Sequence, residues 1–288
     1  MGNWAQLYAD LTAQLQAGQA LGFWDNAFVG FYQSFVAAGR WRLYLSGLLT
    51  TLEATILALL LGVVLGVVVA VIRTAHDQQR AGHKNVILGV FNAICKIYTT
   101  IIRGTPMMVQ SLIFYYAIFN LFKRTGMSVT EINRVWSLFI SGLVTVSLNS
   151  TAYLAEVLRG GILAVDAGQM EAARSLGMTH WQAMRRVVFP QAIKNSLPAI
   201  GNEFIINIKD SSVLCVLGVS DLMFMTRSVA GIYYKGTECY LIAATVYLFL
   251  TYLSSLLLKA ITGRMTAPDN TKRRQGNQTV DLGLPSSN

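Results

Sequence analysis

Glu203, Asn207 and Asp210 stand at positions i, i+4 and i+7 of the stretch "NEFIINIKDSSVL" (202–214). On a helix turning 100° per residue they fall within an arc of about 60°. Ser211 and Ser212 extend the same polar patch. Two carboxylates and an amide on one face suit an ammonium group. The surrounding segment, 192–219, is apolar apart from Lys194, Glu203, Lys209 and Asp210. Ionisable groups in such a setting are costly to bury and are functional candidates by default. Two readings stay open. The carboxylates meet a passing cation, with Lys209 available to an α-carboxylate, or Lys209 neutralises a carboxylate within an ion-pair network that only holds helices together. Gln110, on the segment after "IIRGTP", is a candidate partner from across the same space.

The second constellation is "EAARSLGMTHWQAMRRVVFPQA" (171–192), which is polar and basic between two apolar segments. Good helix formers precede Gly177, with Glu171 and Arg174 three apart on one face. Gly177 suits the left-handed residue that ends a helix. Thr179 with Gln182 three positions later is a capping-box pattern that starts a second helix. That helix is expected to reach Phe189, with Pro190 in the first turn of the next membrane helix. The result is two short helices and a tight turn, more than a connection needs, and therefore a docking element. DNA binding by this helix-turn-helix is rejected, because about 30 residues tethered at both ends by membrane helices do not enter a major groove.

The elements that must carry these sites are read from charge spacing. The chain has 288 residues, 53% hydrophobic and 13% charged, where a soluble domain has about 25% charged. Four uncharged runs, 54–72, 104–122, 135–155 and 239–258, are 19, 19, 21 and 20 residues long. Each suffices to cross about 30 Å of hydrocarbon as a helix. With 192–219 they give five transmembrane helices in an all-α membrane protein. Fifteen Lys and Arg fall in 73–103, 159–194 and 259–288, and seven on the other side. The richer side is cytoplasmic by the positive-inside rule, which puts the N-terminus outside and the C-terminus inside.

Other features exclude chemistry or add support. Cys95, Cys215 and Cys239 lack metal or redox spacing, and His76, His83 and His180 form no cluster, so no metal site is indicated. No Gly-Lys-Ser or Gly-Lys-Thr is present, hence no phosphate-binding loop. "GVVLG" (62–66) favours close helix packing within the chain. Glu156 and Arg159 should pair, and 84–103 is too charged to span confidently and should lie along the interface. Glu53 either snorkels or faces the interior. The opening stretch has no signal-peptide pattern. Residues 1–43 read as an external lead-in with an aromatic amphipathic segment, 44–263 as the transmembrane domain, and 264–288 as a polar, disordered cytoplasmic tail.

The hairpin resembles the Glu-Ala-Ala loop of ABC importer permeases. Glu171, Ala172, Ala173, Gly177, Val187 and Pro190 match that pattern, and Phe189 stands where Leu is usual. "IIRGTPMMVQSLIFYY" (101–116), "NSTAYLAEVLRGGILAVDAGQMEAA" (149–173) and "NEFIINIKDSSVL" resemble the signatures of the polar amino-acid permeases among them. The resemblance covers about 43–263 and implies a type I importer permease fold. It implies a chain that hydrolyses no ATP and binds no cofactor itself, with ATP and magnesium on a partner. The implied partners are an ATP-binding cassette subunit dimer, a second permease subunit (identical or homologous), an extracellular solute-binding protein and membrane lipid, in a prokaryotic plasma membrane. No nucleic acid is implied.

By the same resemblance, the loop at about 161–190 docks on the ATPase through Glu171, Ala172, Ala173, Gly177, Met178, Trp181 and Arg185. Arg174, Arg185 and Arg186 serve either that partner or anionic headgroups. Gln110, Glu203, Asn207, Asp210, Ser211 and Ser212 are expected along the solute pathway. The specific amino acid and the identity of the second permease stay open.

Overall fold

A computed structural model describes residues 2–79 and 85–265. Arg80, His83, Lys84 and the expected tail from 266 onward lie outside the described residues. All regular structure among the described residues is helical. Two helices, α1 (Gly2–Gln16) and α2 (Phe23–Phe31), precede α3 (Trp41–Asp77), the longest. Then come α4 (Val86–Gly104), α5 (Met107–Arg124), the short α6 (Val129–Val135) and α7 (Leu138–Leu163). The hairpin helices α8 (Ala167–Ser175) and α9 (His180–Ala183) lead to α10 (Phe189–Asp210), α11 (Leu222–Tyr233) and α12 (Gly236–Met265).

The bundle is built inside out relative to a soluble domain. Along α3, after Tyr44, the buried residues are small: among them Gly47, Thr51, Ala54, Ala58, Gly62 and Gly66 recur every three or four positions. The large aliphatics between them face outward, with Leu60 58% and Val64 64% exposed. Water would not tolerate so wide an apolar surface. In lipid the tails outside are as apolar as leucine, so helices associate through close backbone packing at small residues instead. The "GVVLG" segment does this within the chain. A Cβ on Gly62 would sit 2.8 Å from the Ser150 Cβ, and one on Gly66 3.2 Å from the Leu154 Cβ. Helix α7 is the central element, packing on α3, α4, α5 and α10, and its inward face is rich in Ser and Thr.

Among the described residues four helices, α3, α4, α7 and α12, are long and apolar enough to cross a membrane. Five spans were expected, and two of those, α5 and α10, fall outside this set. Lys123 and Arg124 close α5, and Lys194, Glu203, Lys209 and Asp210 dilute α10. Conversely α4, expected along the interface, qualifies, because within it only Lys96 and Arg103 are charged. It packs against α3 and α7. Near its start the Asn92 Nδ2 lies 3.1 Å from the His76 Nδ1, and near its end Arg103 reaches Glu156 at 4.0 Å. Glu156 also pairs with Arg73, one turn from His76 on α3. Between them the Tyr98 hydroxyl donates to the Leu148 carbonyl, about two turns before Glu156 on α7, and Gln110 ties Ile102 to Asn149, so α4 runs lengthwise along α3 and α7 with Arg103 reaching back toward the Glu156 end of the bundle.

That end carries an ion cluster larger than the expected Glu156–Arg159 pair. Glu156 accepts a hydrogen bond from Arg73 and forms longer ion pairs with Arg103 at 4.0 Å and Arg159 at 3.7 Å, and Arg159 bonds Asp77 at 2.8 Å. At the opposite end Ser128 and Glu131 form a capping box on α6. The backbone and hydroxyl hydrogen bonds from Ser128 hold the Glu131 carboxyl below its ordinary range. The lead-in is two helices tied to the bundle: the Arg40 guanidinium lies 3.8 Å over the Tyr233 ring, and Tyr8 stacks on Tyr32.

Candidate functional site

The hairpin forms as its caps dictate. Asp166 caps α8 by accepting the Gly168 N–H at 2.7 Å. The helix ends on Gly177 at φ +82°, with the Met178 N–H on the Ala173 carbonyl and the Gly177 N–H on the Arg174 carbonyl. This pair of bonds is the Schellman arrangement, which needs a residue tolerant of the left-handed region. Thr179 and Gln182 exchange both capping-box bonds, at 3.2 and 2.9 Å. The second helix departs from expectation. It does not stop at Phe189 but continues from α9 through a π turn, Met184–Val188, into α10, with Pro190 near the α10 start. Proline lacks only an N–H that a helix start leaves free. The hairpin and the membrane helix are therefore one mechanical piece.

The expected docking residues divide into two groups. Glu171, Ala172, Gly177, Trp181 and Arg185 are exposed, and Met178 is half-buried. Ala173 is 4% exposed and Ala183 fully buried, so their small size serves the hairpin's own packing. Ile162, Val188 and Ala192 form a core beneath, with Val165, Met170 and Met184 packed against it. Among the described residues no ion pair within 4.0 Å joins Glu171 to Arg174. Around Gly177 an added Cβ would meet nothing within 4 Å, which leaves the turn open to a partner's backbone.

The polar face of α10 is largely turned into α7. Glu203 and Asn207 are buried. The Asn207 amide donates to the Ser150 hydroxyl, which donates to Glu203 Oε1 at 3.4 Å. Ser211 is buried and its hydroxyl donates to the Ile208 carbonyl. Asp210 and Ser212 are half-buried and Lys209 is exposed, just where α10 tightens into a 3-10 turn, Ser211–Val216. Among the described residues no ion pair within 4.0 Å joins Lys209 to Asp210. Gln110 lies on α5, where its amide donates to the Ile102 carbonyl at 2.7 Å and to Thr105, fastening the bend between α4 and α5.

Asn149 and Ser150 connect these pieces. The Asn149 amide donates to Gln110 Oε1 at 3.4 Å, while the next residue, Ser150, holds Glu203 and Asn207. Neither was singled out from the sequence. Both lie in the uncharged run 135–155, and a search for charges inside apolar segments passes over hydroxyls and amides. The signal was the cluster Ser147, Asn149, Ser150 and Thr151 in a membrane-length run.

A membrane bundle of small-residue seams, whose one elaborate polar projection runs rigidly into a membrane helix, belongs to the class of transport subunits worked by another chain. Residues 81–267 match the family described as binding-protein-dependent transport system inner membrane component. The chain belongs to this family. It is a multi-pass membrane permease subunit, and the ATPase activity of such systems resides in a separate subunit.

The chain is 37% identical over 182 residues to the probable amino-acid permease protein YxeN of Bacillus subtilis (strain 168), covering 63% of this chain and 78% of the relative. It is 32% identical over 176 residues to the glutamine transport system permease protein GlnP of Escherichia coli (strain K12), covering 61% and 76%. It is 33% identical over 196 residues to the arginine transport system permease protein ArtQ of Bacillus subtilis (strain 168), covering 64% and 85%. Among solved structures, the crystal structure of an amino acid ABC transporter with histidines superposes with a TM-score of 0.65 at 38% identity, over 77% of this chain and 94% of that one. The inward-facing MetNI methionine ABC transporter gives the same score at 20% identity, over 80% and 100%, a likeness of fold alone.

Proposed function

We propose that this chain is the permease subunit of an ATP-driven importer of a polar amino acid delivered by an extracellular solute-binding protein. The observation that carries it is the exposed capped hairpin continuous with α10, inside a segment that matches the family. Relatives named for glutamine and arginine support the substrate class. In this reading two permease subunits, identical or homologous, face an ATP-binding dimer. The hairpin, with Glu171, Ala172, Gly177, Met178, Trp181 and Arg185 outermost, lies on the cytoplasmic side with the tail, and the lead-in of residues 1–43 lies outside. Residues 44–263 form the permease domain.

Along the pathway the half-buried Asp210 and Ser212 meet the solute, with Asp210 facing the α-ammonium. Glu203, Asn207 and Gln110 shape the pathway from behind through their bonds to α7 and α4, and Ser211 through its bond back to the Ile208 carbonyl of α10. The test is uptake by proteoliposomes. The chain with its ATP-binding and solute-binding partners should accumulate a polar amino acid only with ATP. Uptake by the chain alone, driven by an ion gradient, would make it an autonomous secondary transporter and end the importer reading.

A further inference from the structure

A groove of about 580 Å³ opens where the hairpin meets the bundle, between the last turns of α3, the first turn of α4 and the second hairpin helix. Its floor is apolar: Val67, Val71, Leu88, Ile162 and Phe189. Val67 and Val71 belong to the uncharged run 54–72, so the floor continues the apolar surface of α3. Its rim is polar and basic, with Gln78, His180, Trp181 and Arg185, and among the described residues no Asp or Glu lines it. Arg185 is exposed and, among the described residues, in no ion pair. Thr74 also lines the groove; it is 3% exposed and its Oγ1 has no hydrogen-bond partner among the described residues.

We infer that this groove is a site for one anionic phospholipid, which clamps the coupling hairpin to the bundle. The order of groups from floor to rim matches the molecule. An acyl chain takes the apolar floor, since a lipid chain gains contact there at no loss of hydration. An ester carbonyl accepts the free Thr74 hydroxyl, satisfying a buried donor that is costly to leave unmade. The phosphate meets the Arg185 guanidinium at the headgroup level, where each basic residue near an anionic surface is worth about 1 kcal/mol. Trp181 lies where indoles favour the membrane interface. Because the groove has α3 on one wall and the hairpin on the other, its occupant sets how stiffly the hairpin's motion passes into the bundle. The inference rests on the permease reading only in placing this face in lipid.

The experiment uses the complete transporter, this chain with its ATP-binding partner, reconstituted in bilayers of phosphatidylcholine and phosphatidylglycerol in equal parts. Transfer to phosphatidylcholine alone is followed by mass spectrometry of the retained phosphatidylglycerol. The unaltered chain should retain it. Arg185→Gln should lower retention about fivefold, the equivalent of about 1 kcal/mol. Thr74→Val, which keeps the shape and deletes the hydroxyl, should lower it severalfold, and Val71→Trp, which fills the floor from an exposed position, should abolish it. Arg124→Gln, at the far end of α5, should change nothing. Equal retention across Thr74→Val, Val71→Trp and Arg185→Gln overturns the site. Retention unchanged in Arg185→Gln together with loss of the ATP-binding partner assigns the guanidinium to that protein instead. Lipid retention is read without transport, so its failure and a failure of the importer reading are separate results.

Discussion

The hairpin and the seam between α7 and α10 are both polar regions in a hydrophobic chain, and they are held by opposite means. The hairpin's geometry is local: caps, a Schellman turn and a small core fix it within about 30 residues, and Glu171, Trp181 and Arg185 stay exposed. The seam's geometry is non-local. Ser150 meets Glu203 and Asn207 across more than 50 residues, and its hydroxyl links the Asn207 amide to a Glu203 oxygen. Exposed groups with fixed backbone suit docking, whereas buried groups that satisfy one another suit holding helices in register. Polarity inside an apolar chain is thus not one signal.

Gly177→Val tests the local side of this contrast and should have the largest effect. A β-branched residue is strained at φ +82°, and its bulk blocks the open turn, so transport and stimulation of the ATPase should vanish while the chain still inserts in the membrane. Normal ATPase stimulation would remove this turn from the docking surface. Asp210→Asn comes next, lowering amino-acid uptake by roughly 1.5–3 kcal/mol of lost charge-assisted bonding if the carboxylate meets an ammonium. Uptake restored in Lys209→Met/Asp210→Asn, normalised to protein in the membrane, would return Asp210 to the structural side of the comparison.

Glu156→Gln should cost about 2 kcal/mol of stability, since hydrogen bonds to charged groups are worth that much. The position looked benign when Arg159 alone was its expected partner, but three arginines converge on it. A melting temperature unchanged by the substitution would show the cluster to be solvent-screened. Ser150→Ala strands the Asn207 amide and a Glu203 oxygen, so thermal stability should fall by about 1–2 kcal/mol with a smaller change in solute affinity. A selective loss of affinity would move the seam into the solute site. Thr179→Ala should be mildest, costing about 1 kcal/mol of local helix stability, read as faster hydrogen exchange confined to the hairpin.

The two regions were legible to different degrees for the same reason. Caps, glycine turns and helix formers act between residues a few positions apart, so the hairpin could be read along the chain, except where α9 runs through a π turn into α10. The arc of Glu203, Asn207 and Asp210 on one helix face was also legible. Which of them face inward was not, because burial depends on α7, whose Asn149 and Ser150 carry no charge to mark them.

The amino-acid sequence by itself determined a helical membrane protein, the family-specific hairpin, and the absence of a phosphate-binding loop, since composition and short-range spacing carry these. Tertiary structure decided that α4 packs along α3 and α7, that Glu156 gathers three arginines, and that Gln110 fastens a bend. Each depends on which helices meet. In lipid that choice is made by small residues whose side chains differ by only a few atoms, so the differences surface only when the backbones come together.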